Sequence, residues 1–403
     1  MEEFRIIKEI SMKTESKILL FVLDGLGDIP YKGRTVLEIA RKDNIDKLAF
    51  EGICGLAYIV DYGITPGSGP GHLAIFGYEP TEYEIGRGVL SALGIDFDLT
   101  ERDVAARGNY ATKDSEGKII DRRAGRLSTE KCTELCEKIQ IAVNNIDGVE
   151  VIIKPEKDYR FVLILRGEGL NASVSDTDPL ILDAEPLDVV AMSDNAVKTA
   201  EIIKKFIKIS NEVLADEKTA NTVLLRGFAS RPTIPTLSEI YKLTPLAIAT
   251  YPMYRGLAKL VGMTIATVGD SIEDEFKVLH SNYDKYDFFY FHVKKTDSYG
   301  EDGNFEGKVK VIEEFDNLFG QVFQLNPLPD VIVITGDHST PVMLKSHSWH
   351  PVPFVLWSKN ERRDRLISFT EAECVKGSLG RFPMKKAINL MMASALKYKK
   401  WGA

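Results

Sequence analysis

A glycine-rich stretch over residues 64–78 surrounds Ser68, whose hydroxyl is a candidate nucleophile. Glycines and prolines stand on both sides of Ser68, and an apolar run follows. Glycine lets a backbone approach a ligand closely, and a helix beginning near Pro70 would direct its N–H groups and positive dipole end at an anion on Ser68. A surface turn explains such a stretch equally well, and the ending of a nucleotide P-loop is missing. The stretch alone therefore leaves its chemistry open.

Acidic and imidazole side chains end or follow three apolar runs of the kind found in buried strands. These runs cover 17–24, 287–293 and 331–335. The side chains in question are Asp24, Asp297, Glu301, Asp337 and His338, with His347 and His350 on the next segment. One Asp–His pair after a strand is more often a turn or helix cap. Four segments leaving one edge of a parallel sheet instead predict a site for divalent metals of the zinc and manganese type.

A serine beside two metal ions has a defined chemistry. One ion favours the alkoxide form of Ser68, and the other holds a phosphoryl or sulfuryl oxygen. Five of the six histidines lie beside predicted strand ends or acidic residues. They are His72, His292, His338, His347 and His350.

Composition limits the classes of partner. The formal net charge of −8 argues against a nucleic-acid or membrane-surface partner. A small anionic substrate is compatible with it, because 11 of the 18 arginines lie between Gly86 and Gly256. The four cysteines are too few and too scattered for a disulfide framework. No apolar run is long enough for a membrane span or a signal peptide, so we expect a cytoplasmic protein, either a monomer or a homo-oligomer.

The alternation of strands and helices predicts an α/β fold with a mostly parallel sheet flanked by helices. From Gly86 the pattern changes to a hairpin over 101–121, a helix capped by Ser128 and further strands. The predicted helices cover 35–51, 129–144, 195–216, 254–261, 305–324 and 384–400. We therefore predict a catalytic domain formed by residues 1–85 and 251–403, with a smaller α/β domain, 86–250, inserted into it.

Stretches along nearly the whole chain resemble those of one family. They are 22–28, 66–80, 86–90, 121–126, 166–169, 176–178, 335–340, 347–353 and 380–383. The chain resembles the archaeal-type cofactor-independent (2,3-bisphosphoglycerate-independent) phosphoglycerate mutases of the alkaline phosphatase superfamily. The resemblance implies an alkaline-phosphatase-like fold and a glycolytic and gluconeogenic isomerase that interconverts 3-phosphoglycerate and 2-phosphoglycerate without 2,3-bisphosphoglycerate.

The resemblance also implies residue roles. Ser68 matches the serine that is phosphorylated and dephosphorylated during the family's cycle. The ligands of one divalent ion (Mn²⁺, Mg²⁺ or Zn²⁺) are matched by Asp24, Ser68, Asp337 and His338. Two ligands of a second ion are matched by Asp297 and His347.

One position departs from the family pattern. The family's third ligand of the second ion is a histidine four residues after the aspartate, and this chain has Glu301 there. A carboxylate still binds Mn²⁺ or Mg²⁺, so Glu301 either keeps a working site with a changed metal preference or lowers activity while His292 or Asp302 partly replaces the histidine. We favour the first explanation.

Arginines of the inserted domain are expected to hold the carboxylate and phosphate of the substrate, because a guanidinium fork suits both groups. The candidates are Arg126, Arg226, Arg231 and Arg255, and His72 either touches the phosphate or supports the start of a helix. Domain closure would keep water from the phosphoserine. The alternatives are a related phosphatase or phosphotransferase, such as a homoserine kinase-like enzyme, or a metal-binding relative without turnover.

Overall fold

The structure is a computed structural model that describes residues 4–83 and 85–402. The strands are β1 (Ile18–Leu23), β2 (Ile53–Tyr58), β3 (Asp103–Lys113), β4 (Ile119–Asp121), β5 (Asn145–Ile146), β6 (Val149–Pro155), β7 (Arg160–Arg166), β8 (Thr222–Ala229), β9 (Pro245–Ala249), β10 (Thr264–Ile265), β11 (Phe288–Val293), β12 (Val331–Thr335), β13 (Val352–Ser358) and β14 (Gly380–Pro383). The helices are α1 (Arg5–Ile10), α2 (Val36–Ile39), α3 (Asp43–Glu51), α4 (Ser68–Ile75), α5 (Arg87–Gly94), α6 (Thr129–Ala142), α7 (Val197–Val213), α8 (Leu237–Tyr241), α9 (Pro252–Leu260), α10 (Ile272–Asn282), α11 (Lys295–Asp302), α12 (Phe305–Phe319), α13 (Glu371–Cys374) and α14 (Ala387–Ser394). Short 3-10 helices cover Asp194–Ala196, Gly320–Gln324 and Met384–Lys386.

The first of two compact units contains an eight-stranded sheet. The unit comprises Met1–Glu84, Ile234–Tyr251 and Leu257–Ala403, and the strand order is β10-β9-β11-β1-β12-β13-β2-β14. Strand β13 is antiparallel to β12 and β2, and the other neighbouring pairs are parallel. The predicted α/β fold with a mostly parallel sheet flanked by helices is therefore confirmed.

Strand β1 is the centre of this sheet. All six of its residues are buried between β11 and β12 and the covering helices, which is why the sequence there is a continuous apolar run. The ring of Phe21 lies 5.1 to 6.0 Å, between centroids, from the rings of Phe276, Phe291, Phe315 and Phe319. Burial of each such side chain stabilises the fold by about 1.5–3 kcal/mol, so the strand ends lie on a firmly packed base.

The second unit is an antiparallel sheet covered by helices. It comprises Ile85–Thr233 and Pro252–Gly256, and its strand order is β4-β3-β7-β6-β5 with β8 also paired to β3. Helices α6 and α7 contribute to its hydrophobic core, and Ser128 caps α6 by accepting a hydrogen bond from Lys131 N, as predicted. Residues 234–251 belong to the first unit, because β9 pairs with β10 and β11. The functional division between the units stays a prediction.

Two predicted helices differ from the structure. The helix predicted over 35–51 is broken into α2 and α3, because the backbone is extended at Ala40 and non-helical at Lys42. The buried side chain of Lys42 donates a hydrogen bond to Ser368 Oγ at 3.0 Å. The helix predicted over 384–400 is α14 alone after a 3-10 turn, and it ends early because Leu396 has a left-handed φ of 55°.

The cysteines do not cross-link either unit. Cys54, Cys132, Cys136 and Cys374 are buried free thiols. Within the described part of the chain, no helix has the length and apolar character needed to cross a bilayer.

Candidate active site

The ends of three neighbouring strands position the first group of polar side chains. Strands β11, β1 and β12 are parallel, and Leu23 pairs with Val293 across the sheet. Asp24 and Lys294 therefore come one residue past the sheet on adjacent strands, and Asp337 follows the end of β12 by two residues. Parallel strands expose their carboxyl ends at a single edge, where open α/β sheets bind ligands.

The first carboxylate–imidazole group consists of Asp24, Asp337 and His338, all buried, whose ligand atoms lie within 4.8 Å of one another. His338 Nε2 lies 3.4 Å from Asp24 Oδ1 and 3.2 Å from Asp337 Oδ2. The hydroxyl of Ser68 lies 3.3 Å from the same Nε2. The structure thus brings together all four residues that the sequence assigned to one ion.

The second group consists of Asp297, His338 and His347. His347 Nε2 lies 3.7 Å from Asp297 Oδ1, and the rings of His338 and His347 stack with their centroids 3.6 Å apart. His338 is therefore common to both groups, which the sequence did not predict. Glu301 lies one helical turn after Asp297 on α11, but its oxygens are not among the clustered ligand atoms of the described residues.

Helix α4 approaches the strand ends closely. Gly71 is required for this approach, because a Cβ atom there would lie 2.4 Å from the carbonyl oxygen of Asp337. His72, the next residue, is fully buried, and its Nδ1 lies 2.9 Å from Ser68 O and 3.3 Å from Asp337 Oδ2. Because a carbonyl oxygen only accepts, Nδ1 of His72 donates to Ser68 O.

Burial and opposing charges set the protonation of the first group. Burial acts to raise the pKa of Asp24, but the ammonium of Lys294 and the imidazoles of His292 and His338 outweigh it and hold that pKa well below its usual value. Burial, together with the charge of Asp24, raises the pKa of Asp337 well above its usual value. Burial lowers the pKa of His338 to about 3, so this imidazole is neutral and able to bind a metal.

Lys294 connects the two groups. Its Nζ lies 3.1 Å from Asp24 Oδ2 and also contacts Asp297 Oδ2. Burial acts to lower the pKa of Lys294, but the two carboxylates raise it above its usual value. Asp337 Oδ2 is buried and accepts no hydrogen bond from the described residues. A buried carboxylate oxygen that accepts no hydrogen bond, beside neutral imidazoles, suits a divalent cation.

Glu301 lies in a mixed environment. Its side chain reaches solvent. Partial burial in the surrounding protein nevertheless raises the pKa of Glu301, and the nearby charge of Asp297 raises it further. Because water screens an exposed carboxylate, the interaction between Glu301 and Asp297 is weak.

The second unit holds a separate cluster of arginines. Arg122 donates two hydrogen bonds to Asp178, at 3.0 and 2.7 Å, and Arg226 Nη1 lies 3.4 Å from the same carboxylate. Burial acts to raise the pKa of Asp178, but Arg122 and Arg226 lower it overall. Arg226 Nε is buried and donates no hydrogen bond to the described residues. The cluster therefore holds a guanidinium donor that suits an additional anion.

The other predicted arginines are placed differently. Arg126 is exposed, Arg231 donates to the carbonyl of Leu99 at 3.4 Å, and Arg255 pairs with Asp96 at 3.0 Å. Sequence reasoning missed Arg122, although it lies within the stretch 121–126 that resembles the family.

Comparison with known proteins identifies relatives along the full chain. Residues 49–220 match the model of the family described as 2,3-bisphosphoglycerate-independent phosphoglycerate mutase. A relative from Aquifex aeolicus (strain VF5), named probable 2,3-bisphosphoglycerate-independent phosphoglycerate mutase, is 50% identical over 408 residues that cover 99% of this chain and 100% of the relative. A relative of the same name from Thermotoga maritima is 49% identical over 398 residues, covering 98% of each chain.

Two solved structures are similar over the same extent. A protein from Pyrococcus horikoshii is 30% identical with a TM-score of 0.82, covering 97% of this chain and 100% of that chain. A structure named cofactor-independent phosphoglycerate mutase from Thermoplasma acidophilum is 27% identical with a TM-score of 0.69, covering 94% of this chain and 100% of that chain. The chain therefore belongs to the 2,3-bisphosphoglycerate-independent phosphoglycerate mutases, a family of isomerases.

Proposed function

We propose that this chain interconverts 3-phosphoglycerate and 2-phosphoglycerate through a phosphoserine at Ser68, beside a site for two divalent metal ions. The observation that carries the proposal is the position of Ser68. Its hydroxyl lies at the first residue of α4 and 3.3 Å from His338 Nε2, where the two carboxylate–imidazole groups overlap. Family membership supplies the reaction, and this geometry supplies a nucleophile for it.

The two groups fit the metals that the reaction needs. Asp24, Ser68, Asp337 and His338 would hold one ion. Asp297 and His347 would hold the other, with Glu301 as its third protein ligand after a change of side-chain rotamer. When bound, the ions supply charge stabilisation for the phosphoryl group and activate the hydroxyl. Mn²⁺ and Mg²⁺ suit the carboxylate-rich second group, and Zn²⁺ suits the imidazoles.

The chain itself prepares Ser68 for phosphorylation. No side chain caps the N-terminus of α4, since Gly67 is its N-cap residue. The positive end of the helix dipole is thus directed at a phosphoryl group on Ser68. The hydrogen bond from His72 Nδ1 to Ser68 O holds the first turn of α4. This contact supports the structural role for His72 over direct contact with the phosphate.

The arginine cluster of the second unit supplies the best candidates for binding the substrate's anionic groups. Arg226 has a buried donor, and Arg122 shares the carboxylate of Asp178 with it. A guanidinium fork binds carboxylate and phosphate through paired hydrogen bonds. Arg126, Arg231 and Arg255 remain proposed substrate contacts on sequence grounds. Closure of the domains over the substrate likewise remains a proposal.

One observation favours a second candidate, a metal-binding relative that has lost turnover. Glu301 replaces the family histidine, and its side chain lies toward solvent. In that case the native chain would bind Mn²⁺ without isomerising phosphoglycerate, and Glu301→His would be active. A phosphatase or a homoserine kinase-like phosphotransferase would instead release phosphate or phosphorylate homoserine from ATP.

The deciding experiment follows the phosphoryl group directly. Phosphorus NMR of the purified chain with Mn²⁺ and 3-phosphoglycerate should show 2-phosphoglycerate without stoichiometric release of phosphate. Mass spectrometry of quenched samples should find the phosphoryl group on Ser68, and Ser68→Ala should show neither result. Full activity of Ser68→Ala would overturn the proposal.

A further inference from the structure

Thr340 lies between the two carboxylate–imidazole groups. It is fully buried, and its Oγ1 lies 2.6 Å from Asp297 Oδ1 and 3.0 Å from His338 Nδ1. We propose that Thr340 is a positioning residue that fixes which nitrogen of His338 carries the proton and thereby prepares both groups for metal ions. This inference rests on the proposed metal sites.

The argument is a count of protons. A threonine hydroxyl has one proton to donate and lone pairs with which to accept. Asp297 contacts the ammonium of Lys294, so its carboxylate is an acceptor. The hydroxyl of Thr340 therefore donates its hydrogen bond to Asp297 Oδ1. His338 Nδ1 must then be the donor to Thr340 Oγ1. The unprotonated nitrogen of His338 is therefore Nε2, the atom that faces Asp24, Asp337 and Ser68.

Thr340 cannot easily rotate away from this position. Its backbone N donates to Gly27 O at 3.1 Å, and its carbonyl accepts from the buried Lys308 Nζ at 2.9 Å. Gly25 has a left-handed φ of 63°, and a Cβ atom there would lie 2.4 Å from Thr340 Oγ1. A Cβ atom at Gly300 would lie 2.8 Å from Thr340 Cγ2. The backbone of Thr340 is therefore held in place, and its side chain packs closely against two glycines.

The other imidazole of the second group, His347, is held by the backbone instead. His347 Nδ1 lies 3.1 Å from the carbonyl of Pro66 and must donate to it, which leaves Nε2 of His347 facing Asp297. No side-chain substitution can remove that carbonyl. At His338 the partner of Nδ1 is instead the side-chain hydroxyl of Thr340, so the orientation of His338 can be tested by mutation.

Two substitutions separate a positioning role from packing. Thr340→Val keeps the shape of the side chain and removes the hydroxyl, whereas Thr340→Ser keeps the hydroxyl and removes a methyl group. Loss of such an outer hydrogen bond lowers metal affinity by about 10–100-fold in known sites. We therefore expect Thr340→Val to weaken Mn²⁺ binding by about that factor in calorimetric titration, and Thr340→Ser to stay within about threefold of wild type.

A role in packing alone predicts the opposite order. Serine would leave a cavity and valine would not, so Thr340→Ser would be the weaker metal binder. Thr199→Val is the matched control, because Thr199 is a buried threonine of the second unit whose hydroxyl accepts from Asn171 N. It should bind Mn²⁺ like wild type.

A second measurement reports the proton position of His338 directly. Nitrogen NMR of the metal-free chain labelled with ¹⁵N-histidine should show the signal of His338, assigned by its loss in His338→Gln, with its proton on Nδ1. In folded Thr340→Val that signal should shift toward a mixture of the two tautomers. A proton on Nε2 of His338 in wild type would overturn the inference, and so would unchanged Mn²⁺ affinity in Thr340→Val.

The two failures are distinguishable. If wild type binds no divalent ion, the proposed metal sites are wrong, and the proton position still decides whether Thr340 orients His338. If wild type binds Mn²⁺ and Thr340→Val binds it equally well, the metal sites stand and the role of Thr340 is wrong.

Discussion

The two units hold charged groups in different ways. In the first unit, carboxylates and imidazoles sit at the ends of buried parallel strands, and Asp24, Asp337 and His338 are fully buried. In the second unit, Arg122 and Arg226 are partly exposed side chains gathered around the buried carboxylate of Asp178. The first arrangement is fixed by backbone and packing, while the second depends on long side chains held by a single counter-ion.

This difference matches two kinds of chemical task. A nucleophile and its metal ions require positions fixed to within a fraction of an ångström. Recognition of a mobile anion requires charge and several donors, which flexible guanidinium groups provide. We therefore expect substitutions in the first unit to affect the chemical step or the fold, and those in the arginine cluster to affect substrate binding.

The largest effect is expected at Ser68, the proposed nucleophile. Ser68→Ala should lower kcat for conversion of 3-phosphoglycerate by about 10⁴-fold or more. In covalent catalysis, removing one member of a group of residues that act together removes nearly all of the activity. A coupled assay for 2-phosphoglycerate measures this. Ser210→Ala, at a buried serine of α7, is the control, and a Ser68→Ala enzyme with a tenth of normal turnover would contradict the assignment.

The next effect concerns the buried scaffold of the first unit. Lys308 is fully buried, and its Nζ pairs with the buried Asp28 at 3.0 Å. Lys308→Met leaves that carboxylate without its ammonium and should lower the free energy of unfolding by about 3–5 kcal/mol. Lys310→Met, at an exposed position of the same helix, should change it by less than about 0.5 kcal/mol. Equal urea denaturation curves for the two variants would contradict this prediction, because they would show that the Lys308–Asp28 pair does not stabilise the first unit.

A smaller effect is expected in the arginine cluster. Arg226→Gln removes charged hydrogen bonds worth about 2 kcal/mol, so KM for 3-phosphoglycerate should rise about 30-fold with a lesser change in kcat. Arg102→Gln, at an exposed arginine of the same unit paired with Glu168, should leave KM unchanged. If Arg126→Gln raises KM more than Arg226→Gln does, the exposed turn binds the substrate and the cluster around Asp178 does not.

The smallest effect is expected at Glu301, the proposed third protein ligand of the second ion. Glu301→His introduces the histidine that the resemblance implies for this position and should raise the affinity for Zn²⁺ relative to Mn²⁺ by about tenfold, because imidazole is the softer ligand. Competition titrations with the two ions measure the ratio. An unchanged ratio would mean that the side chain at position 301 stays in solvent and does not bind the second ion.

Strand ends were the most predictable part of the molecule. The continuous apolar runs before Asp24 and Asp337 gave their positions, because a strand buried on both faces has no other sequence pattern. The antiparallel direction of β13 was not predictable, since a buried strand reads the same in both directions. The break between α2 and α3 also escaped prediction, because neither the extended backbone at Ala40 nor the contact of Lys42 with the distant Ser368 is visible in the local sequence pattern.

The finer features of the site depend on loops without a periodic pattern. His338 belongs to both groups only because the loop after β12 returns His347 to stack on it. Arg122 was missed in favour of Arg126 because Ala124, Gly125 and Arg126 all have left-handed φ angles. That turn decides which arginine reaches Asp178, and non-glycine residues rarely adopt such angles.

The ammonium of Lys294 affects how stable the chain is before metal ions bind. Because it already partners Asp24 and Asp297, part of their mutual repulsion is offset before any cation arrives. We expect chain dialysed against a chelator to keep its circular dichroism spectrum and to regain turnover when manganese is returned. When its divalent ion is in short supply, such a chain would remain folded and regain activity once the ion is available again.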